Sequence, residues 1–164
     1  MIFSTPETTD YYYSLVREQR RYEFLAAMFA PVALRDGLIA LYALDIELAH
    51  IHHLVKEEMM GHIRYAWWQE AVEDLPANAS KQPVLQALSA AGFAAESLLP
   101  IVVAYRESFP ETPENRGELL QNAASEYLHS AGKKWQKATN KITRHRAKHG
   151  RKLYSWLLVK LFFI

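Results

Sequence analysis

A chain of 164 residues, half of them apolar, is long enough for one domain with a buried core and too apolar to stay disordered as a whole. It contains no cysteine, which excludes disulfides, thiolate-bound zinc and a cysteine nucleophile and fits a reducing compartment. The net charge of +1 conceals a split: residues 1–126 hold nine Lys/Arg against all 18 acids, whereas residues 127–164 hold ten Lys/Arg and no acid, so two surfaces with different partners are expected, or one face docking on the other.

The opening stretch MIFSTPETTDYYY has no basic region followed by an apolar run and so does not read as a signal peptide. Thr8 or Thr9 caps a predicted helix over 10–29, free of Gly and Pro, with Tyr11, Tyr12 and Tyr13 as aromatic anchors to the core. Pro31 suits the start of a second helix, because its missing N–H would be unpaired there anyway. Over 32–56, Leu34, Leu38, Leu41, Leu44, Leu48, Ile51 and Val55 recur three or four residues apart, the spacing of one helix face. Gly37 lies inside that pattern and would permit a close helix contact. Gly61 marks a break or a helix start before a third helix over 62–74. Trp67 and Trp68 point about 100° apart there, so at most one of them serves any given pocket. A polar loop from Pro76 to Pro83, short helices over 83–91 and 95–108 separated by Gly92, and a two-proline turn over 109–113 follow. Residues 114–148 are helix-compatible, interrupted by Gly117 and Gly132 and increasingly basic, and a last segment covers 151–163. No strand alternation and no internal repeat is present. The expectation is a single all-α domain over 1–164 with six to eight helices. The apolar run LYSWLLVKLFFI is shorter than the roughly 20 residues a membrane span needs and carries Lys160, so a cytoplasmic location is expected, with peripheral contact at the inner membrane face.

Two stretches, RYEFLAAMFAPVALRDGLIALYALD over Arg21–Asp45 and the segment through MMGHIRYAWWQEAVED to Asp74, resemble the opening helices of the squalene/phytoene synthase family. The likeness spans about residues 11–110 and fades after about 115. It implies a truncated isoprenoid-synthase type of helical bundle. Active members join two prenyl diphosphates head to head with two aspartate-rich motifs on facing helices. Such carboxylates hold Mg²⁺, a hard cation that wants oxygen ligands, and the metal draws off charge as diphosphate leaves. Here the first-motif positions carry Ala49, His50 and His53, and the arginine usual after the Tyr-Ala run is Ile46. The four aspartates, Asp10, Asp36, Asp45 and Asp74, include no pair three or four apart, so neither motif is present. The segment LYALDIELAHI instead resembles the subgroup with Tyr-Ala-Phe-Asn-x-Glu-Leu-Ala, which includes the mitochondrial complex I assembly factors. That likeness implies a non-catalytic role in assembling a membrane-bound respiratory complex, with no cofactor.

Several constellations bear on that reading. Tyr42 matches a family position that faces the substrate cavity. Tyr42, Asp45, Glu47, Arg64 and Trp68 are the candidate ligand-binding residues, an isoprenoid lipid being the ligand the family implies. Glu47, His50, His53 and Glu57 step by three and four and would form a metal site only with a second Glu-x-x-His and further glutamates converging from a facing helix; a polar helix face is the plainer account. If the chain is an enzyme, these four would replace aspartate toward Mg²⁺ in a prenyl transferase; a plain helical interaction module is the other alternative. In the basic tail over 127–164, Lys134, Trp135, Lys137, Lys141, Arg144, Arg151, Lys152 and Trp156 suit a membrane surface, with cations at anionic headgroups and aromatics at the interface. A final helix packed on the bundle with its basic face in water explains the same residues. A basic stripe is also the footprint of a nucleic-acid binder, but no base-reading motif accompanies it, so no nucleic-acid partner is expected.

Overall fold

The computed structural model of the chain describes residues 6–55, 57–75 and 82–130. Within them every regular element is helical: α1 (Pro6–Gln19), α2 (Arg21–Met28), α3 (Val32–Leu54), α4 (Glu58–Glu73), α5 (Pro83–Ala91), α6 (Ala95–Ser108) and α7 over 116–130. The all-α expectation is met. The central element is α3. From Gly37 to Leu48 nearly every residue is buried, Leu38, Ile39, Ala40, Leu41, Ala43, Leu44 and Ile46 among them. A helix apolar all round its circumference has to be enclosed, and α1, α2, α4, α5 and α6 all pack on it.

The outer helices each contribute one stripe. Gly61, Tyr65, Trp68 and Val72 are the buried residues of α4, and Leu98, Ile101, Val102 and Tyr105 those of α6; the two stripes face each other. Arg106 Nη1 donates to Gln69 Oε1 at 2.6 Å along the same seam. The C-terminus of α5 closes through Gly92, whose φ of 83° is open to glycine at no steric cost, and Phe93 N–H returns to the Leu88 carbonyl at 3.1 Å. The three tyrosines of α1 do anchor it. Tyr12 is buried, Tyr11 donates to Glu47 and Tyr13 to Asp36, so two of them fasten α1 to points about three turns apart on α3.

The expected helix over 10–29 is two helices. Arg20 leaves helical geometry at φ −133°, ψ 59°, and its side chain turns inward to Asp45. Gly61 marks a helix start, one of the two outcomes expected, since it sits in the first turn of α4, whereas Gly117 does not interrupt a helix but sits in the first turn of α7. Gly61 lies under the ring of Phe109, and a Cβ there would overlap that ring. Gly37 meets the expectation of a close contact: it is the floor on which the Tyr127 ring of α7 rests, with Phe93 stacked on that ring at 4.4 Å. Because the ring is held from both sides, Gly37→Ala forces it outward. A gain of about 1 kcal/mol in helix propensity is outweighed by about 1–3 kcal/mol of overpacking. A lowered urea midpoint is the expected result, and an unchanged or raised one contradicts this packing.

Candidate functional site

In the middle of α3 lies Asp45, only 1% exposed and the single buried charged side chain among the described residues. A carboxylate leaves water only if its oxygens are otherwise satisfied. Arg20 Nη2 donates to Oδ2 at 3.1 Å, the Tyr105 phenol donates to Oδ1 at 2.8 Å, and Arg116 Nε lies 3.6 Å from Oδ1. The α1–α2 break, α6 and the start of α7 are thus pinned to α3 through one side chain. Burial, and then the charge of Asp45 and its hydrogen bond, push the Tyr105 phenol up against the opposing pull of Arg116. Burial works against the charge on Arg116, yet Asp45 and Tyr105 outweigh it and its pKa is raised. Tyr42, half-buried beside this group, is pushed up by burial and by the charges of Glu23 and Asp45.

One and two turns further on are the positions where the family would carry aspartates. Ala49 offers no oxygen, His50 is half-buried and His53 is exposed. Glu47 accepts the Tyr11 phenol, which burial and then Glu47 push up to about 12. The structure does not gather Glu47, His50, His53 and Glu57 into a metal site. Steps of three residues each rotate about 60° backward around a helix, so Glu47 and His53 diverge, and Glu57 is exposed beyond the end of α3. Among the described residues no group of three or more His, Asp or Glu is placed to hold a metal ion. The donor set of one engaged carboxylate and two imidazoles does not fit a Mg²⁺–diphosphate cluster, which requires several converging oxygens.

His52, on the same turn, has a buried Nδ1 with no partner and a ring 4.3 Å from that of His53. Burial first, then His53 and His50, lower its pKa from the ordinary 6.5. The unfolded chain therefore takes up this proton before the folded one. The contribution of His52 is complete above about pH 6.5 and is lost as the pH falls toward the depressed folded value. His52→Leu should flatten the loss of stability in that window in urea titrations at stepped pH; an identical slope would contradict the assignment.

Beside this face, α3 and α4 enclose a cleft of about 280 Å³ lined by Glu47, Ile51, Leu54, Arg64, Trp67, Trp68 and Gln82. Three of the five expected ligand-binding residues, Glu47, Arg64 and Trp68, meet there. Tyr42 and Asp45 do not, since Asp45 is spent on Arg20, Tyr105 and Arg116. Trp68 is 5% exposed and Trp67 48%, so one indole packs and the other faces outward, as their angular separation requires. A cleft with one carboxylate, one guanidinium and an indole wall offers binding contacts and no converging acids. A second, open groove of about 690 Å³ runs along the outside of α4, lined by Glu58, Met59, His62, Ile63 and Ala66. Lys134, Trp135, Lys137, Lys141, Arg144, Arg151, Lys152 and Trp156 lie outside the described residues.

Sequence reasoning missed Arg20, Tyr105 and Arg116. The one signal available was Asp45 itself, an acid inside the apolar run Gly37–Ile46, which asks for a buried partner without saying which.

Comparison with known proteins gives a consistent result. Residues 16–108 match the model of the family described as squalene/phytoene synthase. The human protein called NADH dehydrogenase (ubiquinone) complex I, assembly factor 6 is 35% identical over 78 residues, covering 46% of this chain and 23% of that protein. Its bovine counterpart has the same identity and coverage, and the rat protein is 31% identical over 84 residues, 51% of this chain and 25% of its own length. The aligned region thus spans about a quarter of these curated relatives. No solved structure matches the chain.

Proposed function

Since the chain belongs to the squalene/phytoene synthase family and its described residues gather no acids to hold a metal, we propose that it is a non-catalytic, assembly-type member that holds a partner protein. One observation carries this reading. The only buried carboxylate among the described residues, Asp45, is bound to Arg20, Tyr105 and Arg116, which leaves no acid free to hold Mg²⁺ in the bundle interior. The relatives bearing the name of a complex I assembly factor support a partner among the components of a membrane-bound NADH dehydrogenase. No helix among the described residues is long and apolar enough to cross a membrane, so contact with such a complex would be made from its surface. The α3–α4 cleft, with Glu47, Arg64 and Trp67 accessible, is the contact we assign to the partner.

Removing the chain from its own cells should lower the amount of assembled NADH dehydrogenase on native gels, with NADH oxidation by membranes falling in parallel. The wild-type chain should restore both, and Arg64→Glu with Trp67→Ala should not. Unchanged assembly in its absence would overturn the proposal.

A further inference from the structure

The outer face of α4 lacks an account in the fold. Its inward stripe is complete with Gly61, Tyr65, Trp68 and Val72, yet Met59, Met60 and Ile63 on other faces are 74%, 45% and 55% exposed. Met59, Ile63 and Ala66 lie within about 60° of one another around the helix, along the open groove. Contiguous apolar surface of this kind on a free chain marks a contact. Acids bracket it. Glu57 and Glu58 precede Met59, and Glu70, Glu73 and Asp74 follow Trp67, all of them exposed.

The chain itself contains a segment with the complementary pattern. Arg151 and Lys152 precede the stretch Leu153–Val159, apolar but for Ser155, and Lys160 follows it; the whole stretch over 127–164 has ten cations and no acid. Cations at both ends of an apolar centre answer acids at both ends of an apolar groove. The reach is ample. α7 ends at residue 130 beside the start of α6, where Glu126 accepts from Ser97 and Tyr127 stacks on Phe93. The first turn of α4 lies at the other end of α6, with His62 5.6 Å from the ring of Phe109. α6 is about 21 Å long at 1.5 Å per residue, and the stretch from Ser130 to Leu157 covers about 40 Å even if wholly helical.

We propose that the outer face of α4 is the docking site of the chain's own C-terminal segment, residues 151–164, seated on Met59 and Ile63 and steered by the acids at either end. This goes beyond the partner-holding role and does not depend on it, because the groove and the α3–α4 cleft are different surfaces.

The absence of cysteine makes the contact directly testable in the full chain. Ile63→Cys paired with Leu157→Cys places one thiol in the groove and one in the segment. Ile63 is exposed, so the substitution leaves the core intact. Leu25→Cys with Leu157→Cys is the control, since Leu25 is also exposed but lies on α2. Under mild oxidation at high dilution, the 63–157 disulfide should form within one chain at least ten times faster than 25–157. Adding Glu58→Lys and Glu70→Lys, or raising the salt to screen the charges, should slow it several-fold. Equal rates at the two positions would overturn the proposal. So would a disulfide found only between two copies, or a chain that floats with phosphatidylserine vesicles and forms no 63–157 pair.

Discussion

Asp45→Ala is expected to lower the unfolding free energy by about 3 kcal/mol, the low end of the range for breaking a buried ion pair. The low end applies because Arg20 and Arg116 are only partly buried and recover water when the carboxylate goes, whereas Asp45 itself is enclosed. What remains of the loss is the Tyr105 phenol, left without its acceptor in the core, and the release of the α1–α2 break and the start of α7 from α3. Asp45→Asn keeps an oxygen for Tyr105 and loses the charge, so its cost should be less, about 2 kcal/mol. In the Asp45→Ala background, adding Arg20→Ala should cost little more, because its partner is already absent. Urea unfolding of the wild type and these three variants measures all of this. An Asp45→Ala stability within about 0.5 kcal/mol of wild type, the range of ordinary surface substitutions, would mean that the carboxylate is held for something other than the fold.

How far the molecule could be read from its sequence follows from where each cause lies along the chain. The three-and-four spacing of Leu34, Leu38, Leu41, Leu44 and Leu48 is local, and α3 was legible from it. Pro83, Gly92 and the Phe109–Pro110 step punctuate α5 and α6, which fall where expected. The break at Arg20 was not legible, because nothing in residues 10–29 disfavours a continuous helix. The side chain at that break is held by Asp45, 25 residues away in sequence. Glycine weakens helices, so Gly117 reads as an interruption and Gly61 as a break or a helix start. In the structure Gly61 is there so that the Phe109 ring can approach, and that ring lies far along the chain. The candidate site shows the same division. The replacement of acids by Ala49, His50 and His53 is written in the sequence, as is the divergence of Trp67 from Trp68. The use of Asp45 depends on Tyr105, 60 residues downstream, and on Arg116 beyond it, and no spacing rule reaches that far.

The second large effect concerns catalysis. Restoring acids at the first-motif positions, as in Ala49→Asp with His53→Asp, should still give no condensation of prenyl diphosphates. A divalent cation bridging to diphosphate is held by oxygens from two helices, and among the described residues no group of three or more His, Asp or Glu is gathered to hold a metal. Asp36 is engaged by Tyr13 and Asp45 by its three partners, while Asp10 and Asp74 are exposed. The added carboxylates would therefore lie on one side of an incomplete site. Their measurable consequence should be confined to stability, most of it from Ala49→Asp, since Ala49 is half-buried.

The direct measurement is an assay of the purified wild-type chain with farnesyl diphosphate and Mg²⁺, following released diphosphate and the extracted hydrocarbon product together. The prediction is no product above the rate without protein. Turnover at ordinary enzymatic rates, on the order of 1 s⁻¹ or more, would contradict it and would mean that acids outside the bundle interior can assemble a working metal site.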